Sequence, residues 1–205
     1  MRLPCDAALI LVDLQRAIDD PVWGPRNNPD AEASVAALLA AWRAQALPIV
    51  HIRHDSTEPG SPYAPGGPGH PFKTQAAPIA GEPVIGKSTN SAFIAPDLER
   101  ALDAIEATTL VMAGVLTNNS LEASVRHGAN LGYRIFVVAD ACWAVDKRDL
   151  LGRNWPAEDV HALSLANLQG EYAQIVSTEM ALRAAATATL RSERDKRRRA
   201  AQAPG

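Results

Sequence analysis

The chain has 205 residues, 47% of them hydrophobic, and a formal net charge of -3. That length fits one domain, or a domain with a tail, and the apolar content excludes a disordered chain. The acid-leaning balance argues against a general nucleic-acid binder, and no apolar run approaches the ~20 residues that a membrane helix needs. The amino-terminal stretch runs straight into a strand pattern and does not read as a signal peptide. Two cysteines, Cys5 and Cys142, make no disulfide framework, so a cytoplasmic location is the default expectation.

In chain order, AALILVD (7–13) is a short continuous apolar run, as in a strand buried on both faces. Residues 30–46 predict a helix: Asp30 follows Pro29, and Val35, Leu38, Leu39 and Trp42 recur at helical spacing. LPIVHIR (47–53) predicts the second strand. The next stretch, DSTEPGSPYAPGGPGHPFK, is too dense in Pro and Gly for a regular element. A loop this long inside a compact domain is usually functional, and it is expected to border a substrate pocket. EPVIGK (82–87) predicts a strand, 95–105 a helix, TTLVMAGV (108–115) a strand, 118–131 a helix and YRIFVVAD (133–140) a strand. Pro156 opens a helix over 156–172, AQIVST (173–178) is a short strand, and 179–192 a final helix. The domain is expected to span 1–190, and the charged residues 191–205 to form a flexible, solvated tail. The alternation predicts a doubly wound α/β fold: a mostly parallel sheet of about six strands with helices on both faces. Such sheets bind ligands outside the carboxyl ends of their strands.

Three strand ends carry candidate chemistry. Asp13 follows five apolar residues and can act as general base or acid, or serve only as a turn residue. Lys87 ends VIGK, where an ammonium can compensate a carboxylate or a developing anion. Ser120 lies in a strand-to-helix turn, where free backbone N–H groups favour negative charge. Its hydroxyl can be a nucleophile; Thr117, Asn118, Asn119 or Ser120 can equally be a helix cap.

The order LVDLQ, VIGKSTNSAF and then G-x-x-T-x-x-S-x-E, from Gly114 to Glu122, resembles the isochorismatase-like hydrolases, also called the cysteine hydrolase superfamily. The resemblance runs from about Ala7 to Thr178. It implies a catalytic triad of Asp13, Lys87 and the residue at 120, where this chain has Ser in place of the family's Cys. It further implies an oxyanion turn at Leu116 and Thr117, with a cis peptide near Leu116–Thr117. Substrate contacts are expected from Trp23 and from His54, Phe72 and Phe93 as pocket walls.

A serine hydroxyl is a far weaker acid than a thiol, so three readings stand side by side. Ser120 attacks an amide or ureido C–N bond while Asp13 takes its proton. Alternatively Asp13 protonates a vinyl ether, as in relatives that cleave isochorismate without the cysteine. In the third, Ser120 is an engineered Cys→Ser change that traps substrate. A catalytically inactive binding protein on the same fold is the competing class. For isochorismate, with its two carboxylates, Arg53, Lys73, Lys147, Arg148 and Arg153 are the candidate cations. His51, His54 and Asp55 lack the D-x-H pattern of metal-binding relatives, so no metal and no cofactor are expected. The expected partner is a small-molecule substrate, with no nucleic acid and no membrane, in a homo-oligomer (dimer or tetramer) by resemblance.

Overall fold

The computed structural model describes residues 2–188. The helix expected at 179–192 is seen as 178–188; its remainder and the tail read at 191–205 lie outside the described residues. In chain order the elements are β1 (Ala8–Val12), α1 (Ala31–Ala44), β2 (Ile49–His54), β3 (Val84–Lys87), α2 (Asp97–Asp103), β4 (Thr109–Val115), α3 (Glu122–Asn130), β5 (Arg134–Trp143), β6 (Lys147–Arg148), β7 (Asn154–Trp155), α4 (Ala157–Leu168), β8 (Gln174–Val176) and α5 (178–188).

Six strands form one sheet in the order β3-β2-β1-β4-β5-β8, every neighbouring pair parallel. From β1 the chain steps one way to β2 and β3. It then crosses back to β4 and continues the other way to β5 and β8. Right-handed crossovers therefore place α1 on one face and α2, α3 and α4 on the other. With both faces covered, β1 and β4 are buried at every position, which is why they read as unbroken apolar runs. Val35, Leu38, Leu39 and Trp42 are the buried stripe of α1, and the Trp42 indole donates to the Ala7 carbonyl at 3.1 Å.

The expected elements are present with shifted ends. The helix expected over 156–172 stops at Leu168, and Gly170 turns the chain with φ 86°. The strand expected at 133–140 continues to Trp143 through an irregularity opposite Met112–Gly114. One element escaped sequence reading: β6 and β7 make a two-stranded antiparallel hairpin outside the main sheet. Strands of two residues are too short to show a periodicity.

Gly114 has φ 133° where β4 crosses Val12 of β1. A Cβ at this position would overlap the Val12 carbonyl oxygen, so the central strand pair closes only around glycine. Gly114→Ala is expected to destabilise the protein by roughly 3 kcal/mol or more. Gly132→Ala, at φ 96° with nothing near its Cβ, should cost only about 1 kcal/mol. Urea midpoints of the two variants check the contrast.

Candidate active site

Strand order reverses between β1 and β4, so the ligand crevice of this sheet opens at their carboxyl ends. Asp13 follows β1 there, in the left-handed backbone region (φ 55°) that Asp tolerates better than most residues. His54 is the last residue of β2 and Lys87 the last of β3. Lys87 starts two strands from β1, a gap of about 10 Å at ordinary strand spacing. Only a long side chain crosses it. Its Nζ reaches 2.6 Å from Asp13 Oδ2, 3.2 Å from His54 Nδ1, 3.0 Å from the Thr89 carbonyl oxygen and 3.3 Å from Ser120 Oγ. Three ammonium hydrogens thus face four acceptors, and the nitrogen is a junction joining carboxylate, histidine and hydroxyl.

Burial raises the Asp13 carboxyl, and the opposing pull of Lys87 and the Ser120 hydroxyl only limits the rise, to about 6. Its second oxygen, Oδ1, is buried without a hydrogen-bond partner. Burial, then the Lys87 ammonium, hold the His54 imidazole down to about 4, so it is neutral and accepts at Nδ1. His54 is therefore uncharged and only a weak base at neutral pH, and its ring nitrogen helps hold the lysine.

Ser120 sits in a π-helical turn, Thr117–Leu121, between β4 and α3. The Leu116 carbonyl accepts from the N–H groups of Asn119 and Leu121. Ser124 Oγ donates to the Ser120 carbonyl at 2.7 Å and accepts from the Ala92 N–H at 3.0 Å. From α4, Ser164 Oγ donates to the Thr117 carbonyl, and His161 Nδ1 lies 2.9 Å from Thr117 Oγ1. The turn is held from both sides, as a positioned hydroxyl requires.

The Pro- and Gly-rich stretch is a ladder of tight turns. Prolines stand at 59, 62, 65, 68 and 71, one every three residues. The N–H groups of Ser61, Ala64, Gly67 and His70 donate to the carbonyls of Glu58, Ser61, Ala64 and Gly67, so each turn ends where the next begins. Proline takes the second position of each turn; Gly60 and Gly66, with φ 75° and 79°, take the third position of type II turns. The ladder delivers Glu58, Ser61 and Tyr63 to a cavity of about 190 Å³ over Asp13 and Ser120. The Tyr63 hydroxyl donates to the Asp13 carbonyl at 3.3 Å. Gln15, fully buried, fastens the ladder's far end: its Nε2 donates to the carbonyls of His54 and His70, and its Oε1 accepts from the His54 N–H.

Of the residues singled out from sequence, Asp13, Trp23, His54, Leu116 and Ser120 line this cavity, with Lys87 reaching into the cluster from the side. Phe72 and Phe93 lie elsewhere: Phe72 packs on His51, and Phe93 on His127 and Tyr133. Thr117 turns away toward α4. The cis peptide is Val115–Leu116, one residue before the bond the resemblance implied. Cys142 is fully buried in the sheet beside Gly114, its thiol pushed by burial up to about 12. His51 and His54 face different partners, Glu82 and Lys87. Asp55 is taken up by Arg53 and His70, so these side chains do not converge on a metal-ligand set. Tyr63, Glu58 and Gln15 escaped sequence reading; the three-residue proline period was the available signal for the first two.

A fully parallel, doubly wound sheet with an Asp–Lys–Ser cluster at its switch point defines a class of α/β hydrolase. Residues 7–180 match the isochorismatase domain model, and the chain belongs to the isochorismatase family of hydrolases. An isochorismatase-family protein from Chromobacterium violaceum superposes with a TM-score of 0.88 at 51% identity, over 91% of this chain and 97% of that one. The isochorismatase family protein YrdC of Bacillus subtilis is 37% identical over 172 residues, 84% of this chain and 92% of its own. Maleamate amidohydrolase of Pseudomonas putida is 28% identical over 194 residues, 85% of this chain and 84% of its own.

Because Lys87 is the main opponent of burial at Asp13, Lys87→Met should raise the Asp13 carboxyl above its value of about 6. Carboxyl-carbon NMR titration of wild type and variant reads the change.

Proposed function

We propose that this hydrolase cleaves a C–N bond of a small amide or ureido substrate, with Ser120 as nucleophile and Asp13 as its base. One observation carries the reading: Asp13 and Ser120 are held on a single Lys87 nitrogen, and the carboxylate keeps one buried oxygen without a partner. Ser120 Oγ attacks the carbonyl carbon as its proton passes to Asp13. The backbone N–H groups of Leu116 and Ser120 are the donors assigned to the resulting oxyanion. Collapse breaks the C–N bond, and the proton on Asp13 moves to the leaving nitrogen. Water then gives a proton to Asp13 and attacks the acyl-serine, releasing acid and restoring the hydroxyl. The relative named for maleamate amidohydrolysis supports amide chemistry on this fold.

Vinyl-ether cleavage of a dicarboxylate has less support. Arg53 is bound to Asp55, and Lys73 to Asp19 and Glu32; Lys147, Arg148 and Arg153 belong to the β6–β7 hairpin. None of these five lines the cavity.

The two chemistries demand opposite forms of Asp13. A general base works ionised, so kcat/KM should rise with pH through about 6 and level off above it. A proton donor gives the reverse limb. The rising limb should survive His54→Gln, since that imidazole titrates near 4. Ser120→Ala should lower kcat at least ~100-fold, and wild type should show an acyl adduct on Ser120 by mass spectrometry with an activated amide or ester. Full turnover by Ser120→Ala, without an adduct in wild type, would count against the mechanism. Ser120→Cys tests the exchange directly: activity confined to the Cys variant would mark serine as an inactivating residue.

We further propose self-association through the hairpin. Leu150 and Leu151 at its tip are fully exposed, at 105% and 96%. Beside it an apolar groove of about 440 Å³ is lined by Trp155, Val160 and Leu163, with Glu122, Asp159 and the hairpin's own Lys147 among its polar lining. The hairpin's Arg148 and Arg153 complement those acids, so two copies can exchange tips about a two-fold axis. Leu150→Asp with Leu151→Asp should convert the assembly to monomer by sedimentation velocity. An unchanged sedimentation coefficient would reject this interface.

A further inference from the structure

The cavity over Asp13 has a one-sided charge inventory. Its lining includes two acids, Asp13 and Glu58, and neither lysine nor arginine. Asp13 is compensated by Lys87 from the side; Glu58 is exposed and makes no ion pair among the described residues. The Glu58 backbone is held in place at the cavity's edge: its carbonyl closes the first turn of the proline ladder, and its N–H donates to Ser56 Oγ at 3.2 Å. On the same lining, Trp23 and Tyr63 meet edge to face with ring centroids 6.1 Å apart. The Trp23 indole is pinned by donation to the Ala17 carbonyl at 2.8 Å, so this aromatic corner is set before any ligand arrives. A carboxylate beside fixed aromatic rings in a partly dry site is the chemistry that holds an organic cation. The local field agrees in sign. The Tyr63 phenol is pushed well above its ordinary value by burial, then by Asp13 and Asp19. His54, the remaining basic side chain on the wall, is neutral near pH 7.

Resting on the reading of this cavity as the hydrolase's substrate site, we propose that the substrate is cationic: an amide whose acyl portion carries an ammonium group, primary or quaternary, lodged between the Glu58 carboxylate and the Trp23–Tyr63 corner while its carbonyl carbon lies at Ser120. Glu58 is then a binding residue that sets substrate charge and takes no part in bond cleavage. The same inventory selects against carboxylate-bearing substrates, because an anion entering here meets Glu58 and Asp13 with no free cation on the lining.

Binding can be tested without catalysis. Choline and 3,3-dimethyl-1-butanol share a shape and differ in charge. Titration calorimetry on the full chain should show choline binding about tenfold or more tightly than the neutral isostere. Glu58→Gln should erase that preference, and Glu58→Lys should replace it with a preference for 3,3-dimethylbutanoate. Ser120→Ala should keep it, since the nucleophile takes no part in holding the cation. Circular dichroism melts confirm that the exposed substitutions leave the fold intact. Equal affinity for the two isosteres in wild type, or a choline preference that persists in Glu58→Gln, would overturn the proposal. If instead Ser120 forms no adduct and Ser120→Ala turns over fully, the nucleophile reading fails while the charge preference stands or falls on its own titrations.

Discussion

The buried contact between Asp13 and Lys87 is the constraint on which the site depends. The two side chains are 5% and 2% exposed, so neither charge is relieved by water. Each is solvated by the other and by a few fixed dipoles. Burial still outweighs the lysine at Asp13, lifting its carboxyl from 3.8 to about 6. A carboxyl raised in the folded state favours folding most when protonated. Its stabilising contribution is complete below about 3.8 and is lost as pH rises through about 6. At neutral pH the ionised form stands about 3 kcal/mol less favourable than an unperturbed carboxylate, to order of magnitude. On the proposed mechanism, the carboxylate that serves as base at neutral pH is one whose ionisation costs folding stability.

Everything around that contact holds it in register. Lys87 must come from β3 and cross the end of β2, so the parallel order β3-β2-β1 fixes its reach. Gly114 lets β4 close against β1, which brings the Ser120 turn to the same corner. Ser124, His161 and Ser164 then tie that turn to its own helix and to α4. These braces touch backbone, neighbouring hydroxyls and the Glu122 carboxylate rather than the cavity. They are the support that keeps the Asp13–Lys87–Ser120 cluster within a narrow range of geometry.

Much of the fold was legible because both faces of the sheet are covered. That burial makes the strands continuous apolar runs, and the helical stripes between them set the alternation. Asp13 was legible for a related reason, as a charge at the end of such a run, whereas Lys87 ends the short, half-exposed edge strand β3 and gained weight only with the motif. Ser120 needed the motif around it, since a hydroxyl at a helix start is more often a cap. The wall residues were harder. Tyr63 and Glu58 sit in a segment without helical or strand period, and their placement follows from turn geometry repeated every three residues. Phe72 and Phe93 had the right chemistry for a pocket, but no local pattern states which way an aromatic side chain turns. The β6–β7 hairpin left no trace because two-residue strands carry no period.

The proline ladder has a consequence for how ligands enter and leave. Its turns share residues, since the acceptor of one turn is the donor of the turn before it. Loosening any rung frees the rungs on both sides, so the segment opens as a unit rather than fraying at its tip. Proline leaves each rung few alternative shapes, and closure therefore costs little chain entropy. A wall of this kind spends most of its time shut without a ligand to shut it. Any widening of the cavity on this side is then expected to take the form of cooperative openings of the whole segment. Hydrogen exchange at the four rung amides would report those openings as one correlated event.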